Sequence, residues 1–224
     1  MKKDLTEIVF ILDRSGSMAG LEADTIGGFN SLIEKQKKEE GKAVISTVLF
    51  DDTTEVLHDR VKLKKVEPIT DKDYYVRGCT ALLDAIGGAI RHTIRVRKEL
   101  SEEKRPGKTI FIITTDGMEN ASKRYSYKKI KQMIEHEQKK YHWEFIFLGA
   151  NIDAVAEAGK IGIKAKRASR YECDEAGTAM NFSVMHKMVG AARACEDACM
   201  MEACLDEEDF LEEIREDYAK RHKD

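Results

Sequence analysis

Ile8-Val9-Phe10-Ile11-Leu12-Asp13-Arg14-Ser15-Gly16-Ser17-Met18 joins an unbroken apolar run to a polar cluster. The run is rich in β-branched and aromatic residues and does not alternate with polar ones. That is the pattern of a central strand covered on both faces. The polar cluster begins where the strand runs out, with one carboxylate (Asp13) and two hydroxyls (Ser15, Ser17) at alternate positions. Three oxygen donors thus gather at the carboxyl end of the first strand.

Outward from this stretch, similar apolar runs recur at 43–50, 109–114 and 143–148, separated by segments with helical spacing. Alternating strands and helices build a mainly parallel sheet. Glu55-Val56-Leu57-His58 follows the second run through Asp51-Asp52-Thr53-Thr54 alone. So short a connection permits only a hairpin, so this segment is an antiparallel edge strand. Helices are expected over 22–39, 81–100, 126–140 and 153–159, with a long helical region from about 174 onward. In that region Met180, Val184, Met188, Ala191, Cys195 and Cys199 fall at steps of three or four, which makes one helical stripe docked on the sheet. Beyond Cys204 the acidic run Asp206-Glu207-Glu208-Asp209, read as a solvated face, precedes Phe210, Leu211, Ile214 and Tyr218, a second short helix or a frayed tail.

A chain of 224 residues suits one α/β domain, and 42% hydrophobic with 35% charged residues suits a folded, soluble one. With a net charge of -3, no overall field draws it to nucleic acid or to an anionic membrane. The amino terminus does not read as a signal peptide, and no apolar run approaches the ~20 residues of a spanning helix. Five cysteines are an odd number, and Cys195, Cys199 and Cys204 crowd into one stretch. Reduced thiols packed in a core, in a cytoplasmic protein, fit this better than disulfides or a metal cluster. The scattered histidines are assigned no role. Arg14 has two readings, as a cation facing an acidic ligand or as a local ion-pair partner.

Two further loops bring candidate donors to the same edge. The 109–114 run leads into Thr115-Asp116-Gly117, and Arg77-Gly78-Cys79-Thr80 opens a helix. The candidate set is therefore Asp13, Ser15, Ser17, Thr80 and Asp116. Two carboxylates and three hydroxyls form a hard, oxygen-only set, which suits Mg²⁺ first and Mn²⁺ or Ca²⁺ as alternatives, and disfavours zinc. Neutral hydroxyls leave such an ion Lewis-acidic, with a position open to an external carboxylate.

Asp13, Ser15 and Ser17 resemble the D-x-S-x-S element of the von Willebrand factor A (vWA) family, the fold of integrin I domains. Thr80 and Asp116 match its other two ligand positions, so the five residues together resemble a complete metal-ion-dependent adhesion site (MIDAS). Gly27-Gly28-Phe29-Asn30 and the stretch from Thr80 to Ile86 are also similar to free-standing bacterial members, and the similarity runs from about 7 to 162. The resemblance implies a Rossmann-like, doubly wound, mainly parallel six-stranded sheet with one antiparallel edge strand and helices on both faces. With the helical spacing of the C-terminal part, which the resemblance does not cover, the expected division is a domain core over 1–170 and a C-terminal helical region over 171–224 that packs on it. The resemblance also implies that the threonine and the third-loop aspartate can exchange as direct ligands, with the last helix as the moving element.

The expected function is a divalent-metal-dependent protein-binding module that recognises an Asp or Glu carboxylate of a protein partner in a bacterial-type cell. It is not expected to be an enzyme, because no His, Glu or Lys is tied to the motif by spacing as a proton acceptor. One alternative is a Mg-dependent phosphoryl-transfer hydrolase of the haloacid-dehalogenase type. That pattern calls for a second aspartate two positions after the first, where this chain has Ser15. The other alternative is a structural subunit with a vestigial metal site.

Overall fold

The computed structural model describes residues 2–222, so Met1 and the last two residues of the C-terminal segment lie outside the described residues. Six strands form one sheet: β1 (Lys2–Asp13), β2 (Lys42–Phe50), β3 (Thr54–Lys62), β4 (Pro106–Thr115), β5 (Glu144–Gly149) and β6 (Ala168–Arg170). Their order is β3-β2-β1-β4-β5-β6, all neighbours being parallel except the β2–β3 hairpin. The chain winds from β1 outward to β3, then returns to lay β4 on the other side of β1. The strand order therefore reverses between β1 and β4, where open α/β sheets leave a crevice at their carboxyl ends.

The apolar run of β1 is central because its two sets of side chains enter different cores. Ile8, Phe10 and Leu12 pack in a cluster with Phe29, Leu32 and Ile33 of α1 (Glu22–Gln36) and Val184, Met188 and Val189 of α5 (Glu175–Ala194). Val9 and Ile11 pack with Leu83, Ile86 and Ile90 of α2 (Leu82–Glu99) and Ile130 and Ile134 of α3 (Tyr127–Tyr141). Each such burial contributes about 1.5–3 kcal/mol, so a polar residue on either face of β1 is costly. Contact between α1 and α5 is close enough to require Gly28, where an added Cβ would stand 2.1 Å from the Phe182 ring. The remaining short helix on the second face is α4 (Ala154–Lys160).

The C-terminal region departs from the single stripe expected of it. α5 stops at Ala194 and Cys195 is extended; Asp197 then caps a new helix, α6 (Ala198–Glu207), followed by α7 (Glu212–Arg221). The Asp197 carboxylate accepts from the Met200 amide at 3.0 Å, a local signal that overrides a hydrophobic spacing running across the break. Cys199 is consequently exposed on α6 rather than packed in the core, while Cys195 and Cys204 are half-buried. Met201 and Leu205 of α6, and Leu211 and Ile214 beside and within α7, join the same core as β1. α7 lies against the short edge strand, with Arg215 donating to the Ala168 carbonyl at 3.5 Å. No described helix is long and apolar enough to cross a membrane.

Candidate metal centre

The parallel register sets Leu12 beside Thr114, which carries Asp13 to the side of Thr115. There the Thr115 hydroxyl donates to Asp13 Oδ2 at 2.5 Å, and the Ser15 amide donates to Asp13 Oδ1 at 2.7 Å. Backbone bonds from Arg77 N to Arg14 O (2.8 Å) and from Gly16 N to Gly78 O (3.1 Å) fasten the first loop to the loop carrying Thr80. A third loop holds Thr80 in turn: its amide donates to Asn120 Oδ1 at 2.9 Å.

These constraints bring all five candidate residues together. Thr80 Oγ1 lies 3.0 Å from Ser15 Oγ, Ser15 Oγ lies 3.0 Å from Ser17 Oγ, and the Ser17 hydroxyl donates to Asp116 Oδ1 at 2.5 Å. Gly117 permits this convergence, since a Cβ there would stand 3.0 Å from Thr80 Oγ1 and 3.1 Å from Ser17 Oγ. Asp13, Ser15, Thr80 and Asp116 are buried, and Ser17 is exposed at the mouth.

Burial pushes Asp13 up to about 6, against the hydrogen bonds from Thr115 and Ser15 that favour its charge. Burial also raises Asp116, against the Ser17 hydroxyl. Asp116 Oδ2 is buried with no hydrogen-bond partner. Two desolvated carboxylates, one with an orphaned oxygen, form a site short of positive charge. The 3.0 Å hydroxyl separations are hydrogen-bond lengths, and they also match the edge of an octahedron of oxygens about 2.1 Å from a central Mg²⁺. The donor set thus fits a small hard cation. Among the described residues, no three His, Cys, Asp or Glu side chains gather to hold a metal by themselves, so the hydroxyls are essential to this set.

Arg14 follows its second reading. Its side chain is buried and turned away from the centre, pairing with Asp51 at 2.8 Å and Glu55 at 2.7 Å. Arg77 shares the same Asp51 oxygen at 2.8 Å, and both guanidiniums lie 5.4 Å from the centre of the Tyr75 ring. Although burial opposes charge on Asp51, hydrogen bonds from Arg77, Thr53 and Arg14 hold it well below the ordinary carboxylate range. The first and second loops are thereby braced by an ion cluster beside the centre.

Three residues of this arrangement escape sequence reasoning. Tyr74, fully buried, donates its hydroxyl to the Asp13 carbonyl at 2.5 Å, from an irregular segment without periodic signal. Thr115 is quoted in the Thr-Asp-Gly motif without a role, yet aligning the ends of β1 and β4 would have placed it beside Asp13. Asp51 reads as a turn residue, although an acid at the end of a strand next to β1 was a usable sign.

No family profile and no curated protein matches this sequence. Solved structures do match. Proximal thread matrix protein 1 from the mussel byssus, with a zinc-occupied MIDAS motif, superposes with a TM-score of 0.56 at 17% identity, covering 83% of this chain and 46% of that one. The fold is the von Willebrand factor A fold. Manganese-loaded TRAP protein from Plasmodium vivax gives a TM-score of 0.55 at 17% identity, over 81% of this chain and 74% of that one. A von Willebrand factor type A protein from Catenulispora acidiphila gives 0.55 at 15%, over 83% and 42%. This chain spans less than half the length of the mussel and Catenulispora proteins. At such identities the likeness speaks for the vWA fold alone.

Proposed function

We propose that this vWA domain is a divalent-metal-dependent protein-binding module, of the free-standing bacterial type and cytoplasmic. In this reading Asp13, Ser15, Ser17, Thr80 and Asp116 hold one cation, Mg²⁺ first and Mn²⁺ or Ca²⁺ as alternatives. The observation that carries the proposal is the orphaned Asp116 Oδ2, buried within a ring of hydroxyls whose spacing fits a small hard ion. Zinc in the mussel protein's MIDAS motif and manganese in TRAP support the same reading, because they are divalent ions carried by proteins of this fold.

When bound, the cation supplies a Lewis-acidic position for an Asp or Glu carboxylate of a protein partner. The chain's own residues do the positioning: Thr115 orients the Asp13 carboxylate, Tyr74 fixes its backbone, and Ser17 at the mouth orients Asp116. Three neutral hydroxyls leave the two carboxylates to bring the ion to neutrality and no further, so an external carboxylate would meet no net repulsion and could coordinate the ion directly.

The role is binding rather than catalysis. His58, His92, His142, His186 and His222 each have a partner away from the centre: Thr47, Asp59, Glu202, Gln36 and Glu172. Tyr74 does touch Asp13, but burial pushes its phenol above the ordinary range, so it stays protonated and supplies no phenolate to take up a proton.

Calorimetric titration of chelator-treated protein with Mg²⁺, Mn²⁺ and Ca²⁺ tests the metal reading. One saturable site and a raised melting temperature are expected, both lost in Asp116→Ala with the circular dichroism spectrum unchanged. No heat with any of the three ions would leave a vestigial site. Phosphate-ester turnover that disappears in Asp13→Asn would move the assignment to a hydrolase. Affinity capture from the native cell, with and without chelator, then reads the partner.

A further inference from the structure

The loop that carries Thr80 passes into α2 without a capping side chain of its own. Ala81 stands at the N-cap position and offers no side-chain acceptor, so the first amides of the helix need partners from elsewhere. The loop after β4 supplies them. Glu119 Oε2 accepts from the Leu83 amide at 2.9 Å and Ser122 Oγ from the Asp84 amide at 3.0 Å, across 36 and 38 residues of sequence. Glu119 also braces its own loop, with Oε1 accepting from the Ala121 and Ser122 amides at 3.0 and 2.7 Å.

The helix holds the loop in return. Asp84, in the first turn of α2, accepts from the amides of Lys123, Arg124 and Tyr125, each at 2.9 Å. Although burial opposes its charge, these amides hold the Asp84 carboxyl below the ordinary range. The Tyr125 ring then lies on Gly87 of the same helix, where an added Cβ would stand 2.6 Å from it. Besides its amide bond to Asn120 Oδ1, Thr80 accepts at its carbonyl from the Asn120 and Ala121 amides at 3.0 and 3.2 Å. Thr80 and the loop that follows Asp116 are therefore clamped into one unit, and the two acids of the clamp bond to none of the candidate metal ligands.

We propose that Glu119 and Asp84 are positioning residues that fix the distance between Thr80 and Asp116, and so set the preference of the centre for Mg²⁺ over Ca²⁺. The inference rests on the metal reading above. Mg²⁺ requires near-octahedral oxygens about 2.1 Å away, whereas Ca²⁺ accepts a looser shell at about 2.3–2.6 Å. The 3.0 Å spacing of the Thr80, Ser15 and Ser17 hydroxyls suits the smaller ion, and around Ca²⁺ the same edge lengthens to about 3.4 Å. A clamped rim resists that expansion and a loosened one permits it. Loss of either acid therefore weakens the hold on the smaller ion more than on the larger.

The test titrates Glu119→Ala and Asp84→Ala beside the parent with Mg²⁺ and with Ca²⁺, by calorimetry at equal pH and salt. Mg²⁺ affinity should fall roughly tenfold in each variant, and Ca²⁺ affinity by no more than about threefold. Equal losses for the two ions would make both acids supports of the fold alone and overturn the proposal. A parent that takes up neither ion would overturn it together with the metal reading. Amide hydrogen exchange of metal-free protein reads the clamp without any ion: Glu119→Ala should speed exchange at Leu83, Ala121 and Ser122 by about tenfold or more, with β1 and β4 still protected. Unchanged exchange at those three amides would also overturn the proposal. Should an alanine variant fail to fold, Glu119→Gln and Asp84→Asn, each of which keeps one acceptor oxygen, are titrated in its place, and the same fall in the Mg²⁺ to Ca²⁺ affinity ratio is expected.

Discussion

At the carboxyl end of the sheet Asp13 and Asp116 are buried among hydroxyls, whereas at the amino end Lys108 and Arg193 are buried among carbonyls. Lys108 Nζ donates to the carbonyl of Arg193 at 2.6 Å and to that of Cys195. Arg193 Nη1 donates to Gln36 O and Oε1, and Nη2 to the carbonyls of Glu39, Glu40 and Gly41. The positive groups at the amino end therefore meet acceptors supplied by the chain itself: the unsatisfied carbonyls that every helix end presents. The negative groups at the carboxyl end also meet only neutral partners, and each end keeps one orphaned atom, Asp116 Oδ2 at this one and Arg193 Nε at the other. The amino end is thus held by seven donations from its two cations to oxygens of the chain itself, while the carboxyl end, on the proposed function, is completed by a cation from outside.

The largest effect expected from breaking this contrast lies at the amino end. Arg193→Ala strips the donor from five oxygens around the α1–β2 turn, the two of Gln36 being buried contacts and the other three partly buried. The loss should be about 3–4 kcal/mol of unfolding free energy, read as a lowered urea midpoint at unchanged slope. Metal affinity should stay within a few-fold of the parent. A variant that unfolds no more easily would show that this network is solvated in solution rather than closed.

The carboxyl end should respond in the reverse way. Asp13→Asn is expected to lower metal affinity by about a hundredfold or more while leaving the metal-free fold intact. Without metal, Asp13 has a folded value of about 6 against an ordinary 3.8. The folded state therefore holds the proton more tightly, and the stability this group contributes is present below pH 3.8 and lost as pH rises through about 6. Metal-free protein should thus gain about 1 kcal/mol from Asp13 alone between pH 7 and pH 5. That increment should vanish in Asp13→Asn and shrink with saturating Mg²⁺. Urea melts of both proteins at the two pH values, with and without metal, measure it. Equal pH slopes for parent and variant would remove the electrostatic reason for a cation here.

How much of this contrast the sequence discloses depends on how local its signals are. The strand of residues 8–12 is legible because an apolar run without alternation has one stable setting, and β2, β4 and β5 are legible for the same reason. β6 is not: Ala168-Ser169-Arg170 has no such run, and it pairs only because Gly149 and its neighbours on β5 offer an edge. The five candidate oxygen residues are legible because each follows a strand end or opens a helix, so chain topology alone delivers them to one rim. Their supports are not. Tyr74 and Asp51 act through contacts between loops, and a hydrogen bond across such a gap in sequence has no periodicity to betray it, whereas Thr115 acts from the end of β4 and needed the β1–β4 alignment to be placed. The C-terminal stripe fails for a related reason: a spacing of three or four from Met180 to Cys199 continues across the Asp197 cap, and local capping takes precedence over periodicity.

Tyr74 allows the smallest and sharpest test, because it touches the centre through backbone alone. Tyr74→Phe removes one hydroxyl and leaves the ring in its buried place. The Asp13 carbonyl then loses a 2.5 Å donor in a site that water reaches poorly, at a cost of about 1–2 kcal/mol in stability. The carboxylate of Asp13 keeps its bonds from Thr115 and Ser15, so the ligand survives and only its anchorage loosens. Metal affinity should accordingly fall by a few-fold, far less than in Asp13→Asn, because displacement of a ligand's backbone is a partial loss where removal of its charge is complete. Calorimetric titration of Tyr74→Phe beside the parent, at equal pH and salt, separates the two. An affinity equal to the parent's would make Tyr74 a support of the fold alone, and one as low as that of Asp13→Asn would mean that Asp13 is positioned chiefly through its backbone.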